Sequence, residues 1–228
     1  MAWLIESYKS ALAKKVVMAV TGIILFGFVL GHMVGNLKLY LGPEALNHYA
    51  EALRELGAPL LAHGQALWIA RIVLLAAVVL HIWSAWTLTL QNRRARPHAY
   101  AKKEVIQATY ASRTMRWGGV IILLFVVYHL LHLTFGTVHP DFIEGDVYHN
   151  VVTGFRVWWV AGFYILANLA LGFHLYHGLW SMFQSLGWDH DAYKKARRPF
   201  AALFAVLITA CNISFPLAVL TGLVTLPA

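Results

Sequence analysis

Residues Trp117 to Val138 read WGGVIILLFVVYHLLHLTFGTV, a run without one charged side chain. A hydrocarbon core is crossed by about 20 apolar residues as helix, whereas a barrel strand needs about 10 in strict alternation. This run is too long and too evenly apolar for a strand. Inside a bilayer an open chain satisfies its own N–H and C=O groups only as a helix. The stretch therefore predicts a transmembrane helix, and it carries His129 and His132 at a depth where ionisable side chains are rare.

Four more apolar runs flank it, at residues 16–39, 67–90, 157–186 and 200–226. The expected fold is all-α: an integral membrane bundle of five transmembrane helices forming a single transmembrane domain over residues 1–228. Composition agrees. Hydrophobic residues make up 60% of the chain and charged residues 12%, about half the charged share of soluble domains. The first run is too long for a signal-peptide core and has no small-residue cleavage site after it. Pro216 is expected to kink the last run. Between the first two runs, Gly42 to His63 reads as a short surface helix ended by Gly57 and Pro59.

The formal charge of +8 comes from basic residues set between the runs, which argues for orientation and against nucleic acid as a partner. Lys9, Lys14, Lys15, Arg93, Arg94, Arg96, Lys102, Lys103, Arg113, Arg116, Lys194, Lys195, Arg197 and Arg198 fall on one side. Lys38, Arg54, Arg71 and Arg156 fall on the other, together with Glu44, Glu51, Glu55, Asp141, Glu144 and Asp146. The positive-inside rule then predicts a cytoplasmic N-terminus and a C-terminus outside the cell's inner membrane.

Six of the twelve histidines lie within the runs: His32, His81, His129, His132, His174 and His177. One intramembrane histidine is readily explained as a hydrogen bond between helices. Four helices each carrying one point to more. Two imidazoles from facing helices can fill both axial positions of a haem iron, so four helices can hold two haems. The single cysteine, Cys211, allows neither a CxxC pair nor a CxxCH attachment, so such a haem is b-type, held without covalent bonds. No Asp or Glu lies deep in any run, which argues against a carboxylate-bound metal. His129 and His132 share a helix face, as do His174 and His177, and only one of each pair is needed as a ligand. The other could bond a haem propionate, a quinone or a carbonyl. Gly27, Gly31 and Gly35 recur every fourth residue beside His32, and Gly162, Gly172 and Gly178 punctuate the fourth run. Close helix packing is the plainer reading of both sets.

These residues resemble a known family. KKVVMAVTG (14–22), GHMVGN (31–36), GPEALNHYA (42–50), LHIWSAW (80–86), MRWGGVIILLFVVYH (115–129) and FHLYHGLWS (173–181), with a fifth span lacking histidine, resemble the single-subunit, di-haem cytochrome b anchor of succinate dehydrogenase and fumarate reductase. The resemblance implies axial ligands at His32, His81, His129 and His174. His32 with His129 would hold an outer haem and His81 with His174 an inner one. His132, His177 and Arg116 become residues that touch a ligand or a propionate. The resemblance also implies a flavoprotein subunit and an iron–sulfur subunit as partners, docked on the basic cytoplasmic face, and membrane quinone, commonly menaquinone, as the respiratory-chain substrate. A higher oligomer of the whole complex is compatible with it. Near the outer haem, Asn47, His48, Glu51 and Glu55 are the candidate quinone residues. Some relatives carry an acid close to the last ligand, where this chain has Gly172 and Phe173. Two other classes fit less well: the cytochrome b anchor of a different quinone-linked dehydrogenase, and a haem-free membrane protein whose histidines only link helices.

Overall fold

The computed structural model describes residues 10–95, 110–188 and 190–227. Lys9, Arg96, Lys102, Lys103 and the side chain of Arg113 lie outside the described part. Seven α-helices and no strand occur among the described residues. Helix α1 (Ala11–Asn36) runs on as a 3-10 turn, Leu37–Leu41. Then come α2 (Pro43–Ala52), α3 (Gln65–Arg94) and α4 (Tyr110–His129). Helix α4 passes into a π-helical turn, Leu130–Thr134. The chain finishes with α5 (Val147–Arg156), α6 (Trp158–Ser185) and α7 (Asp191–Leu220). Five of these are long and apolar enough to cross a membrane, as expected: α1 with its 3-10 extension, α3, α4, α6 and α7.

The helix ends depart from the apolar runs in two ways. At the basic ends the helices are longer. Ser10 caps α1 by accepting the Ala13 N–H at 3.1 Å, so Lys14 and Lys15 lie in its first turns. Helix α3 reaches Arg94, and α7 starts at Asp191 with its basic residues already helical. Hydropathy marks the thickness of the hydrocarbon, whereas Lys, Arg and Ala continue a helix beyond it at little cost. At the opposite ends two of the helices are shorter. The third span stops at Thr134, before Gly136 at φ +71°, and the fifth at Leu220, before Gly222 at φ +76°. Left-handed glycines of this kind end helices. The surface helix α2 likewise stops at Ala52, short of Gly57. Helix α5 is an addition to the expected elements. The Asp146 carboxylate caps it by accepting the His149 N–H at 3.0 Å.

Packing divides the bundle. Helix α6 packs most extensively on α7 and on α4, α1 pairs with α3, and α1 meets α6 and α7 more sparsely. Helix α3 packs extensively on α1 alone. Its buried residues Ala77, Ser84 and Leu88 form one stripe, and Leu75 and Val79 are exposed as a lipid-facing surface requires. Gly172 lets α6 and α7 approach, because a Cβ there would collide with Thr209. Gly35 does the same for the Tyr49 ring, while Gly27, Gly31, Gly162 and Gly178 would meet nothing within 4 Å. The small-residue packing reading thus applies to some of the glycines only. An apolar cluster of Leu39, Leu46, Val152, Phe155, Tyr164 and Phe215 closes the end of the bundle that carries α2 and α5.

Candidate metal site at two histidine pairs

His81 sits on the buried stripe of α3, four residues after Ala77 and three before Ser84. That face is turned to α1. Its Nδ1 lies 3.1 Å from the Met18 carbonyl oxygen and 3.1 Å from Thr21 Oγ1. The Thr21 hydroxyl proton is directed at the Val17 carbonyl, 2.7 Å away. Both contacts can therefore accept, and Nδ1 carries the imidazole proton. Nε2 is left with the lone pair that a metal needs. Across the bundle His81 meets His174 of α6, with ring centres 6.2 Å apart and planes at 57°. Each ring has a glycine against its edge: Gly22 lies beside His81 Cε1 and Gly119 beside His174 Cε1.

The second pair stands nearer the α2–α5 end. His32 is exposed on α1 and stacks on Phe28, one turn earlier, at 5.3 Å. Its ring faces His129 of α4, with centres 5.9 Å apart and planes at 84°. His129 is the last residue before the π turn, which Phe135 N–H closes onto the Leu130 carbonyl at 2.9 Å. His132 lies within that turn and is fully buried. Nδ1 of both His129 and His132 reaches the Tyr164 hydroxyl, at 3.2 and 3.0 Å. One turn of π-helix is a frequent way to re-aim side chains at a functional position.

The remaining candidates divide by setting. His177 is half-buried against Trp180, with ring centres 5.7 Å apart. Among the described residues, Nδ1 of His174, Nδ1 of His177 and Nε2 of His132 are buried without a hydrogen-bond partner. Arg116 is exposed near the start of α4. At the other end, Asn47 has both ends of its amide engaged. It donates to Asp146 Oδ1 at 2.9 Å and accepts the Tyr148 N–H at 3.0 Å, which ties α2 to α5. Glu51 pairs with Arg54 at 2.9 Å and Glu55 with His63 at 2.7 Å, all near the surface. His48 is exposed. Burial opposes the charged form of Asp146, but the His149 N–H and the Asn47 amide outweigh it and hold the carboxyl below its ordinary range.

Three residues of the two pairs' surroundings escape a reading by histidine spacing: Thr21, Tyr164 and His139. Tyr164 had a signal, since a phenol in the middle of an apolar run stands four residues before Asn168. Both are buried on one face, where Asn168 Nδ2 donates to the Tyr164 carbonyl at 2.9 Å.

Residues 89–213, more than half of the chain, match the family described as succinate dehydrogenase/fumarate reductase transmembrane subunit. The chain belongs to this family. As a succinate dehydrogenase/fumarate reductase transmembrane subunit it is a multi-pass membrane anchor that associates with the other subunits of that complex. No curated protein and no solved structure matches it. The stretch matched to the transmembrane-subunit family contains His129, His132, His174 and His177 and begins after His32 and His81. Each ring pair thus joins one histidine inside the matched stretch to one before it.

Proposed function

We propose that this anchor is a cytochrome b that holds two b haems and relays electrons between the iron–sulfur subunit and membrane quinone. The observation that carries the reading is the meeting of histidines from four spans as two cross-bundle pairs, at 5.9 and 6.2 Å. Metal–imidazole bonds of about 2 Å on opposite sides of one ion put ring centres roughly 6 Å apart. The donor set is imidazole only, as for bis-histidine haem. The neighbouring glycines Gly22 and Gly119 keep side chains away from the rings, as a flat macrocycle requires.

In this reading His32 and His129 would hold the outer haem, and His81 and His174 the inner one. A bound b haem supplies a one-electron iron couple suited to accepting electrons singly. The chain's own part is to hold the rings and fix their tautomers, as Met18 and Thr21 do for His81. In the same reading His177, one turn from His174, and Arg116 would bond propionates. Buried imidazole nitrogens without partners cost about 1–3 kcal/mol each, which a propionate or quinone oxygen would offset. The basic face formed by Lys14, Arg94, Lys195 and Arg198 receives the iron–sulfur subunit and, through it, the flavoprotein, with the N-terminus in the cytoplasm. The quinone, of the menaquinone type, binds near the outer pair. Glu51, Glu55 and His48 are the exposed groups there for proton exchange, and Asn47 frames the site by joining α2 to α5.

The test is purification through a tag on this chain, with subunit analysis and a reduced-minus-oxidised visible spectrum. The reading expects a flavoprotein and an iron–sulfur protein to copurify and b-type bands to appear. A complex without b-type bands would leave the anchor role and overturn the haem relay.

A further inference from the structure

One hydroxyl serves two imidazoles where α4 turns into π-helix. Tyr164 Oη lies 3.2 Å from His129 Nδ1 and 3.0 Å from His132 Nδ1. A phenol has a single proton. It donates to one of these nitrogens and accepts from the other.

The packing decides which ring is open to a metal. His132 is fully buried, and its Nε2 side is closed by Gly154, where a Cβ would collide with Cε1 and Nε2 of His132. The His139 ring stacks over His132 with centres 4.8 Å apart. His139 itself is spent: its Nε2 donates to the Asn150 carbonyl at 2.8 Å, and its Nδ1 accepts the Asp141 N–H at 3.0 Å. Tyr164 is therefore the hydrogen-bond partner that His132 has. His129, by contrast, presents its ring to His32. A metal on His129 Nε2 forces that ring's proton onto Nδ1, which can then only donate to Tyr164. The hydroxyl proton turns to His132 Nδ1.

On the haem reading above, we infer that Tyr164 is the positioning residue of the His129 ligand: it accepts the Nδ1–H of His129, donates its own hydroxyl to His132, and so lowers the potential of the outer haem. The physical cause is ligand basicity. An acceptor on the distant N–H makes an imidazole a stronger donor, and a stronger donor favours the oxidised iron. Donation onward to His132 also fixes the hydroxyl's direction, so the acceptor lone pair stays aimed at His129. The inner pair is a built-in reference, since His81 has the Met18 backbone carbonyl as its acceptor and owes nothing to Tyr164.

The experiment is a redox titration of the purified holocomplex and its Y164F variant, resolving the two haems optically. Phenylalanine keeps the ring that packs on Phe125 and Phe155. Y164F is expected to keep two haems and to raise the outer potential by about tenfold in the iron equilibrium, ~59 mV for one electron, with the inner potential unmoved. Replacement of tyrosine by 3-fluorotyrosine leaves shape intact and makes the hydroxyl a poorer acceptor, so it should move the outer potential the same way if Y164F does not accumulate or drops the outer haem. An outer potential unmoved in these proteins, or both potentials moved alike, overturns the inference. Wild-type protein with no haem would instead sink the haem reading itself.

Discussion

The Nδ1–H of His81 donates to the backbone carbonyl of Met18, 3.1 Å away on the neighbouring helix. This bond joins α3 to α1, sets the imidazole tautomer and leaves the lone pair on Nε2 of a ring whose centre lies 6.2 Å from that of His174. A side chain held in this way is oriented before any metal arrives, which is how supporting hydrogen bonds raise metal affinity. His81→Ala or His174→Ala should lower the haem content by one per chain and leave the second haem in place. Thr21→Val, which removes the Thr21 hydroxyl contact and keeps the Met18 one, should keep both haems. Haem content measured per polypeptide checks all three, and loss of both haems in His81→Ala would argue against separate sites.

His132 and His177 make the contrasting case. Both stand one turn from a proposed ligand, and the Nε2 edge of His132 is closed by Gly154. Replacing either should leave two haems and change at most a potential, as outer hydrogen-bond partners do. Visible spectra of the purified variants decide it. A haem lost on replacing His132, with both retained on replacing His129, would shift the ligand by one turn. Gly154→Ala should be harmful on its own, because its methyl meets both His132 and His139.

Asn47 is a hinge-pin between the surface helices. Its amide bonds Asp146 and Tyr148, and the Tyr148 hydroxyl in turn donates to the Thr225 carbonyl at 2.9 Å. Asn47→Ala leaves these groups short of partners and should cost about 1–3 kcal/mol, seen as a lower Tm of the complex in detergent. The Asp146 carboxyl adds a pH dependence. Burial opposes its charge, yet the His149 N–H and Asn47 hold its folded pKa below the unfolded value. Its stabilising contribution is therefore full above the ordinary carboxylate range near pH 4 and is lost as pH falls through the depressed folded value. Asp146→Asn should flatten that acid limb in a pH series of thermal melts.

Glu51 and Glu55 are exposed and held by Arg54 and His63. Changing either to Gln should slow quinone turnover several-fold while both haems and artificial-acceptor activity survive. Steady-state kinetics with quinone and with a dye acceptor separate the two effects. Unchanged quinone kinetics in both variants, with loss on changing Arg116, would move the quinone to the basic side.

Five spans were legible in the sequence because lipid demands long apolar helices and little else produces them. Their ends were not. Lys14, Arg94 and Arg197 lie within helices although hydropathy falls away before them, since helix formation outlasts the hydrocarbon. The surface helix α5 is short and mixed in composition, and beside its local Asp146 cap it is held by the Asn47 bridge, which reaches about a hundred residues along the chain. The histidines were legible as a set because four apolar runs each carry one or two of them where ionisable side chains are rare. Tyr164 and Asn168 could be seen as a polar face in an apolar run, but which groups the Tyr164 hydroxyl meets was hidden until it was seen between two imidazoles. The π turn that brings His132 to that hydroxyl has no sequence period of its own.

The central claim is that the two histidine pairs hold two haems, and counting haem tests it most directly. A quantitative pyridine haemochrome assay on the purified complex, normalised to this chain, should give two b haems per polypeptide. One haem, or none, would contradict the account.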